Sequence, residues 1–248
     1  MKGTNSVDED ARQCAALLKT ARSLTVLTGA GISTGAGIPD FRGTQGLYAT
    51  GKYDPDKIFD IRYFLRDPQL FYTFARDFLS LLAAIRPTFG HRFLRQLEET
   101  GTLKGLITQN IDSLHHQAGS KKVVELHGSF IESYCLDCRK KFSYAEMKDK
   151  IFAEPVPKCR CSGIIKPDIV FFGEEVKNLE VAFQLARAAD VFLVIGTSCV
   201  VYPAAILPQI TAGKIIVVNR DPVALPSVPV ALQVEREIDS FFEEVAKY

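Results

Sequence analysis

The sequence lacks a charge excess of either sign, a long apolar run and an internal repeat. Its formal net charge is +1 over 248 residues. Because its positive and negative charges nearly cancel, the chain has no basic field that would attract nucleic acid. No apolar run approaches the length that spans a bilayer, and the acidic beginning MKGTNSVDED does not have the basic-then-apolar order of a signal peptide. The sequence therefore argues against direct nucleic-acid binding and membrane insertion, and it predicts a soluble, cytoplasmic protein.

Short apolar segments alternate with amphipathic ones along the chain. Hydrophobic residues make up 47% of the sequence, enough for a substantial core. The amphipathic stretches 9–22, 91–99 and 180–189 have the apolar spacing of helices. Buried strands are predicted at 24–27, 105–108, 123–126, 191–195 and 214–218. This alternation predicts an α/β fold in which helices cover both faces of a parallel sheet.

A glycine-rich turn, TGAGISTGAGIPDFRG, follows the first predicted strand at 28–43. Glycines at this point let backbone amides approach a phosphate, which favours dinucleotide binding, although a tight strand-to-helix turn explains the same residues. The spacing departs from GxGxxG because Thr34 occupies the place of the third glycine and Gly35 comes one position later. Asp40, Phe41 and Arg42 have the side chains of a lid over a phosphate-bearing ligand, and the alternative is an exposed loop with a salt-bridging arginine.

Small or amide-bearing residues follow two later strands. Gly196, Thr197 and Ser198 follow one strand and Asn219 follows the next. Such groups can hydrogen-bond a ribose, and they are also common turn formers.

Four of the six cysteines form two close pairs, Cys135 with Cys138 and Cys159 with Cys161. Four thiolates close a tetrahedral structural zinc site and leave no open position for catalysis. The second pair is CxC instead of the usual CxxC and requires a tighter turn. Unpaired core cysteines and a redox pair are the alternatives.

His127 is the histidine that the sequence favours as a general base. It lies in the segment VVELHGS, at the end of an apolar strand and before Gly128, where it would project into the cleft as a proton acceptor, although a core histidine bonded to backbone is the alternative. His115 and His116 fall on a short predicted helix between Asp112 and Gly119. Their side chains point about 100° apart, so at least one of them is structural or faces solvent.

Taken together, these motifs resemble the sirtuins, the silent information regulator family of NAD-dependent protein deacylases. The matching segments, in the family's order, are GAGIS at 29–33, GIPDFRG at 37–43, TQNID with LHxxAG at 108–119, ELHG at 125–128, the paired cysteines, IVFFGE at 169–174, GTS with VVYP at 196–203 and VN at 218–219.

The resemblance implies a Rossmann-like NAD-binding domain with a smaller domain beside it. The larger domain would comprise residues 1–39, 86–128 and 169–248. Residues 40–85 would form a cofactor loop and a helical module, and 129–168 a zinc-binding module. NAD and an acetylated lysine side chain of a protein would enter the cleft between the domains from opposite sides.

The resemblance also assigns roles to residues. The acyl oxygen would attack the ribose carbon that carries nicotinamide, and His127 would then deprotonate a ribose hydroxyl. His127 and Asn110 are the predicted catalytic residues. The predicted NAD-binding residues are Gly29, Ala30, Gly31, Ser33, Ile38, Asp40, Phe41, Arg42, Gln109, Asn110, Asp112, Gly196, Thr197, Ser198 and Asn219. The predicted substrate-binding residues are Val170, Phe172, Gly173, Glu174, Val200 and Tyr202, and the structural zinc would be held by Cys135, Cys138, Cys159 and Cys161.

The implied function is an NAD-dependent protein lysine deacetylase that releases nicotinamide and O-acetyl-ADP-ribose. Members that prefer succinyl or malonyl groups resemble one another in a Tyr-x-x-Arg pair; here Tyr72 matches, but Ala75 stands in the arginine's place and Arg76 follows it. An acetyl or longer neutral group is therefore favoured over a dicarboxylate. Mono-ADP-ribosyl transfer and non-catalytic binding of NAD or acyl-lysine are the alternatives.

Overall fold

The computed structural model describes residues 4–39, 53–226 and 228–248. Within these residues a six-stranded parallel sheet has the order β3-β2-β1-β7-β8-β9. Its strands are β1 (Leu24–Thr28), β2 (Leu103–Thr108), β3 (Val123–Glu125), β7 (Val191–Ile195), β8 (Lys214–Asn219) and β9 (Val230–Glu235). This Rossmann-like order confirms the predicted fold class.

The central strands β1 and β7 are buried throughout because helices cover both faces of the sheet. Every residue of β1 and of β7 is buried, as expected for a doubly covered parallel sheet. One apolar cluster packs on the helices Thr4–Thr20, Phe89–Glu99 and Ile238–Val245, which we number α1, α5 and α10. A second cluster packs on α8 (Leu179–Ala188) and α9 (Leu207–Ile210) on the opposite face.

The smaller part of the molecule consists of short helices and a three-stranded antiparallel sheet. Its helices are α2 (Pro55–Ile58), α3 (Ile61–Arg66), α4 (Pro68–Ala84) and α7 (Tyr144–Ala153), and its strands are β4 (Gly128–Cys135), β5 (Lys141–Ser143) and β6 (Ile165–Ile169). Edge-to-face ring contacts such as Phe64 with Phe171, 5.3 Å between centroids, fill its core. The remaining helices are α6 (Leu114–Gln117) and the 3₁₀ segments Ala30–Ala36 and Ala204–Ile206.

The edge strand β9 has no counterpart among the strands predicted from the sequence. In VALQVE only alternate residues are buried, because an edge strand packs mainly on one face and carries no continuous apolar run. The helix predicted at 9–22 corresponds to α1, which begins five residues earlier, at Thr4, and ends two residues earlier, at Thr20. None of the helices in the described ranges is long and apolar enough to cross a membrane.

Candidate active site

A cleft of about 1050 Å³ opens at the carboxyl ends of the parallel strands and extends to the smaller domain. This is where open α/β sheets bind ligands. The sequence-predicted residues that line it are Gly29, Ala30, Gly31, Ile38, Gln109, Asn110, Asp112, His127, Val170, Phe172, Gly173, Glu174, Gly196, Thr197, Ser198, Tyr202 and Asn219. The fold therefore gathers into one cavity residues that are up to 190 positions apart in the sequence.

The glycines after β1 permit two turns to touch. β1 and β7 are neighbours at the point where the strand order reverses, and the Gly31 N–H donates to Gly196 O at 2.8 Å. A Cβ on Gly31 would lie 2.6 Å from Gly196 Cα, and Gly196 itself has φ +61°. Gly29 and Gly31 were expected from the sequence to let a phosphate approach the backbone; the structure shows that their missing side chains are also needed for this packing.

Asn110 and Asp112 lie deep in the cleft, after β2. The Asn110 side-chain amide donates to Gly29 O at 3.2 Å and to Ser33 Oγ at 3.3 Å. The Ser33 hydroxyl donates to Asp112 Oδ2 at 2.7 Å, and the Leu114 N–H donates to Asp112 Oδ1 at 2.8 Å. Burial raises the pKa of the Asp112 carboxyl, and these hydrogen bonds act against that rise. The carboxylate is thus held in place from two sides.

His91 supports this group from behind. Its Nε2 lies 3.4 Å from Ser33 Oγ, and its Nδ1 lies 2.9 Å from Thr88 Oγ1. Because the Ser33 hydroxyl already donates to Asp112, the His91 Nε2–H is the donor to Ser33. Burial lowers the pKa of His91 to about 4, so the ring is neutral at ordinary pH.

The two adjacent histidines have different environments. His115 is buried, its Nε2 lies 3.0 Å from Thr28 Oγ1, and its ring lies 4.8 Å from that of His91. Burial places the pKa of His115 well below its usual value. His116 is half-exposed beside Glu125, at 3.3 Å, and a hydrogen bond to that carboxylate raises its pKa. Neither lines the cleft, consistent with the sequence argument that at least one of them is not catalytic.

We expect the folded protein to lose stability as the pH falls below about 6.5. An unfolded histidine takes up a proton near 6.5, whereas burial keeps His91 neutral down to a pKa of about 4. Between these values the unfolded state binds more protons, so the free energy of unfolding decreases as the pH is lowered, by about 2 kcal/mol at about pH 5 for His91 alone. His115 and His127 act in the same direction, because burial lowers their pKa values too. Thermal unfolding followed from about pH 8 to about pH 5 measures the effect, and an unchanged Tm would contradict it.

His127 follows β3 and faces the cleft with a defined tautomer. Its Nδ1 lies 2.7 Å from Gln109 O; because a carbonyl only accepts, Nδ1 carries the proton and Nε2 keeps its lone pair. Burial lowers the pKa of His127, and the bond to Gln109 opposes this shift. At neutral pH the ring is therefore a neutral base with Nε2 able to accept a proton.

Two backbone segments border the cleft. Val170, Phe172 and Gly173 of the first line it, and the second contains the exposed Val200 beside the lining residue Tyr202. Among the described residues, Val170 O, Gly173 N and the backbone of Val200 have no hydrogen-bond partner. Both segments can therefore pair with an extended peptide.

The four paired cysteines converge at the end of the smaller domain. Their Sγ atoms all lie within 4.8 Å of one another, with Cys135 to Cys161 at 3.5 Å and Cys138 to Cys159 at 3.6 Å. A tetrahedral zinc site with Zn–S bonds of about 2.3 Å requires sulfurs about 3.8 Å apart. The cluster therefore fits a structural zinc ion.

The short CxC turn is accommodated by its neighbours. Ser162 has φ +70°, and the Cys159 N–H donates to Gly163 O at 2.8 Å. A Cβ on Gly163 would lie 2.7 Å from Cys135 Sγ, so a glycine is required where this turn meets the other pair.

Several predicted residues lie off the cleft wall, and several unpredicted ones lie on it. Ser33 is fully buried behind the wall, and Val200 is on the rim. Asp40, Phe41 and Arg42 lie outside the described residues. The adjoining wall includes residues after β8 and β9 that the sequence analysis did not identify: Arg220, Asp221, Arg236 and Glu237. The missed strand β9 explains the last two, because without it no strand end marks their position.

The sheet order, the cleft at the reversal point and the polar groups at the strand ends define a nucleotide-binding α/β protein with a small second domain. Residues 29–203 match the profile of the Sir2 family. With this match over more than half of its length, the chain belongs to the Sir2 family.

Curated relatives cover most of the chain. The NAD-dependent protein deacetylase of Thermotoga maritima is 46% identical over 209 residues, 82% of this chain and 84% of that protein. The NAD-dependent protein deacylase 2 of Archaeoglobus fulgidus is 40% identical over 223 residues, 87% of each.

Solved structures give the same result. A Sir2 structure with a p53 peptide and NAD⁺ is 40% identical, has a TM-score of 0.86 and covers 95% of this chain and 97% of its own. Sir2Tm bound to a propionylated peptide is 39% identical with a TM-score of 0.84, over 95% of this chain and 96% of its own. The family resemblance that the sequence motifs indicated is confirmed.

Proposed function

We propose that this protein is an NAD-dependent protein lysine deacetylase that transfers the acetyl group to ADP-ribose. The observation that carries the proposal is His127, a neutral base whose Nδ1 is committed to Gln109 O at 2.7 Å and whose ring lines the cleft. The names of the relatives support the same activity. The proposal also gives the protein a cytoplasmic location, where a reducing medium keeps zinc-binding thiols free.

NAD fits the part of the cleft at the ends of β1, β2, β7 and β8, which we call the nucleotide half. It supplies an electrophilic ribose carbon and a nicotinamide leaving group when bound. Asn110 and Asp112, with Ala30 and Ile38, would surround the nicotinamide. The turn residues Gly29, Gly31, Gln109, Gly196, Thr197, Ser198 and Asn219 would hold the phosphates and the adenosine half. Ser33 would act indirectly, because its hydroxyl donates to Asp112 at 2.7 Å.

The residues of the chain divide the chemical work. His127 would take a proton from a ribose hydroxyl at Nε2, which general-base catalysis requires to be unprotonated. Asn110 would orient a reacting group or water from the deep end of the cleft. The acetylated lysine of the peptide would enter between Val170 and Val200, with recognition mainly through main-chain hydrogen bonds.

Mass spectrometry of an acetyl-lysine peptide incubated with the protein, with and without NAD, tests the proposal. Nicotinamide, deacetylated peptide and O-acetyl-ADP-ribose should appear in equal amounts and only with NAD. Nicotinamide without deacetylated peptide, or ADP-ribose attached to protein, would favour ADP-ribosyl transfer instead. Binding of NAD and peptide without any turnover would favour a non-catalytic binding module.

The residues around Tyr72 support a neutral acyl group. Tyr72 and Ala75 are fully buried in the small-domain core, and the Tyr72 hydroxyl donates to Ile165 O. The Arg76 Nη1 donates to Ile151 O at 3.1 Å and Glu154 O at 3.2 Å, at the end of α7. Both polar groups are therefore committed inside the domain and are not available to bind an acyl carboxylate.

We expect an acetyl peptide to be turned over at least about 100-fold faster than the same peptide carrying a succinyl group, because Tyr72 and Arg76 are bonded inside the smaller domain and do not offer a pair for the second carboxylate. The two peptides are compared by kcat/KM. Replacing Arg76 with Ala should lower Tm through the lost helix-end contacts and leave the acetyl-to-succinyl ratio unchanged. A selective loss of succinyl turnover in that variant would show that Arg76 does reach the acyl group.

A further inference from the structure

Lys166, on β6, is a fully buried lysine that lies outside the cleft wall. Its Nζ lies 2.8 Å from Glu174 Oε2, donates to Ile169 O at 2.6 Å, and lies 4.2 Å from the centroid of the Phe171 ring. Burial of an ammonium group is costly unless it is paired and hydrogen-bonded. These contacts meet that requirement, and these three, the closest, come from one segment, 169–174. Lys166 Nζ also donates to Pro167 O at 3.4 Å and lies 5.8 Å from the centroid of the Tyr134 ring.

This segment wraps around the ammonium group. The Ile169 carbonyl, the Phe171 ring and the Glu174 carboxylate contact Lys166 from successive positions along the chain. The Glu174 carboxylate also accepts a hydrogen bond from the Phe171 N–H at 2.8 Å. Glu174, predicted from the sequence to bind substrate, therefore has its carboxylate turned toward Lys166 and the backbone of its own segment.

Other backbone groups of this segment, which also lines the cleft, do not contact Lys166. Val170 N donates to His127 O at 2.8 Å, and Phe172 N donates to Phe59 O at 2.6 Å. Val170 O and Gly173 N have no partner among the described residues. Lys166 thus holds the segment at Ile169, Phe171 and Glu174, while two backbone groups between these positions remain available.

We propose that Lys166 is a positioning residue for the acyl-lysine peptide: its ammonium group, through Glu174 and Ile169, fixes the backbone of 170–173 in the shape that pairs with the substrate strand. The inference rests on the proposed deacetylase function. Lys166 itself touches neither NAD nor peptide. Its loss therefore acts on peptide binding selectively, because the nucleotide half of the cleft is formed by other strands.

The Lys166→Met variant tests this selectivity. It keeps the length of the side chain and removes the charge. We expect the KM for an acetyl-lysine peptide to rise about ten-fold or more, with the KM for NAD and kcat within about two-fold of the unmodified protein. A purely structural role would lower Tm and impair both substrates equally. An equal rise in both KM values, or an unchanged peptide KM, would overturn the proposal.

Lys177→Met is the matched control. Lys177 also pairs with a carboxylate, that of Asp168, and donates to Asp168 O at 3.2 Å, but within the described part of the chain none of its hydrogen bonds or ion pairs is with 169–174. The KM of the Lys177→Met variant for the acetyl-lysine peptide should differ from that of the unmodified protein by less than about two-fold. A peptide KM raised as much as in Lys166→Met would show that any lost ion pair near this segment has the same effect, and the proposal would fail.

A double-mutant cycle with Glu174→Ala tests the route of the effect. If Lys166 acts through Glu174, the double variant should raise the peptide KM no more than about two-fold beyond the larger single effect. If the rise in peptide KM in the double variant equalled the product of the two single rises, the two residues would act independently and that route would be contradicted. Equilibrium binding of a labelled acetyl-lysine peptide gives the same comparison without turnover. An inactive unmodified protein would thus refute the deacetylase function, whereas unaltered peptide binding by Lys166→Met would refute the role of Lys166.

Discussion

Replacement of His127 by Ala is expected to lower kcat for deacetylation by about 100-fold to 10,000-fold, the range that a positioned general base contributes. The variant loses the only lone pair that the His127 ring, with Nδ1 bonded to Gln109 O, presents for proton transfer. Because the proposed proton transfer follows the departure of nicotinamide, exchange of labelled nicotinamide into NAD should be reduced much less than deacetylation. Steady-state deacetylation and exchange are measured on the same preparation.

His116→Ala provides the control for this experiment. His116 is a half-exposed histidine beside Glu125 and is outside the cleft wall, so its deacetylation rate should remain within about three-fold of normal. Full deacetylation by His127→Ala would refute the proposed role of His127. Equal losses of exchange and deacetylation would indicate that His127 is needed for an earlier step.

Removal of zinc is expected to abolish deacetylation and to unfold the smaller domain. Structural zinc contributes about 10–16 kcal/mol in zinc-finger peptides, which exceeds the stability of a typical domain. Cys135 ends β4 and Cys159 lies in the same apolar core. β4 begins directly after His127, and β6, its neighbour, leads into Val170. Without the metal, the strands that hold the base and the peptide segment would separate.

The measurement combines metal analysis, Tm and deacetylation before and after treatment with a strong chelator. Cys159→Ser should reproduce the loss without a chelator. Cys14→Ala, at a buried cysteine in the helix α1 far from the cluster, should keep its zinc and its activity at some cost in Tm. Retained deacetylation in a metal-free preparation would contradict this account.

The sequence predicts the parts of this fold that have a strong local pattern. The strand β7 is a continuous apolar run and β1 is a short, mostly apolar segment before a glycine-rich turn, so their positions are predicted to within one residue. The strand β9 was missed because its burial alternates at the sheet edge. The division into domains stays a prediction, although β4 begins at Gly128, one residue before the predicted start of the zinc module.

The sequence predicts the site residues that directly follow a strand. It does not predict the side-chain partners that come from distant parts of the chain. His127 and Asn110 follow strands, so their place in the cleft follows from the topology. The commitment of Arg76 to α7 and of the Glu174 carboxylate to Lys166 depends on packing between segments that are far apart in the chain. No local sequence pattern indicates which distant group such a side chain will bind.

The pairing of β1 with β7 governs when the nucleotide half of the site can form during synthesis. Leu24 pairs with Val191, and the Gly29 N–H donates to Ile195 O at 3.0 Å, so the turn after β1 waits for a strand more than 160 residues later. Contacts of such sequence separation make folding slow. A nascent chain that ends before Val191 exposes one edge of β1 and has not completed the turn that we propose binds NAD. On that proposal the cofactor can stabilise only a chain that already includes β7, which makes NAD a ligand of late folding states.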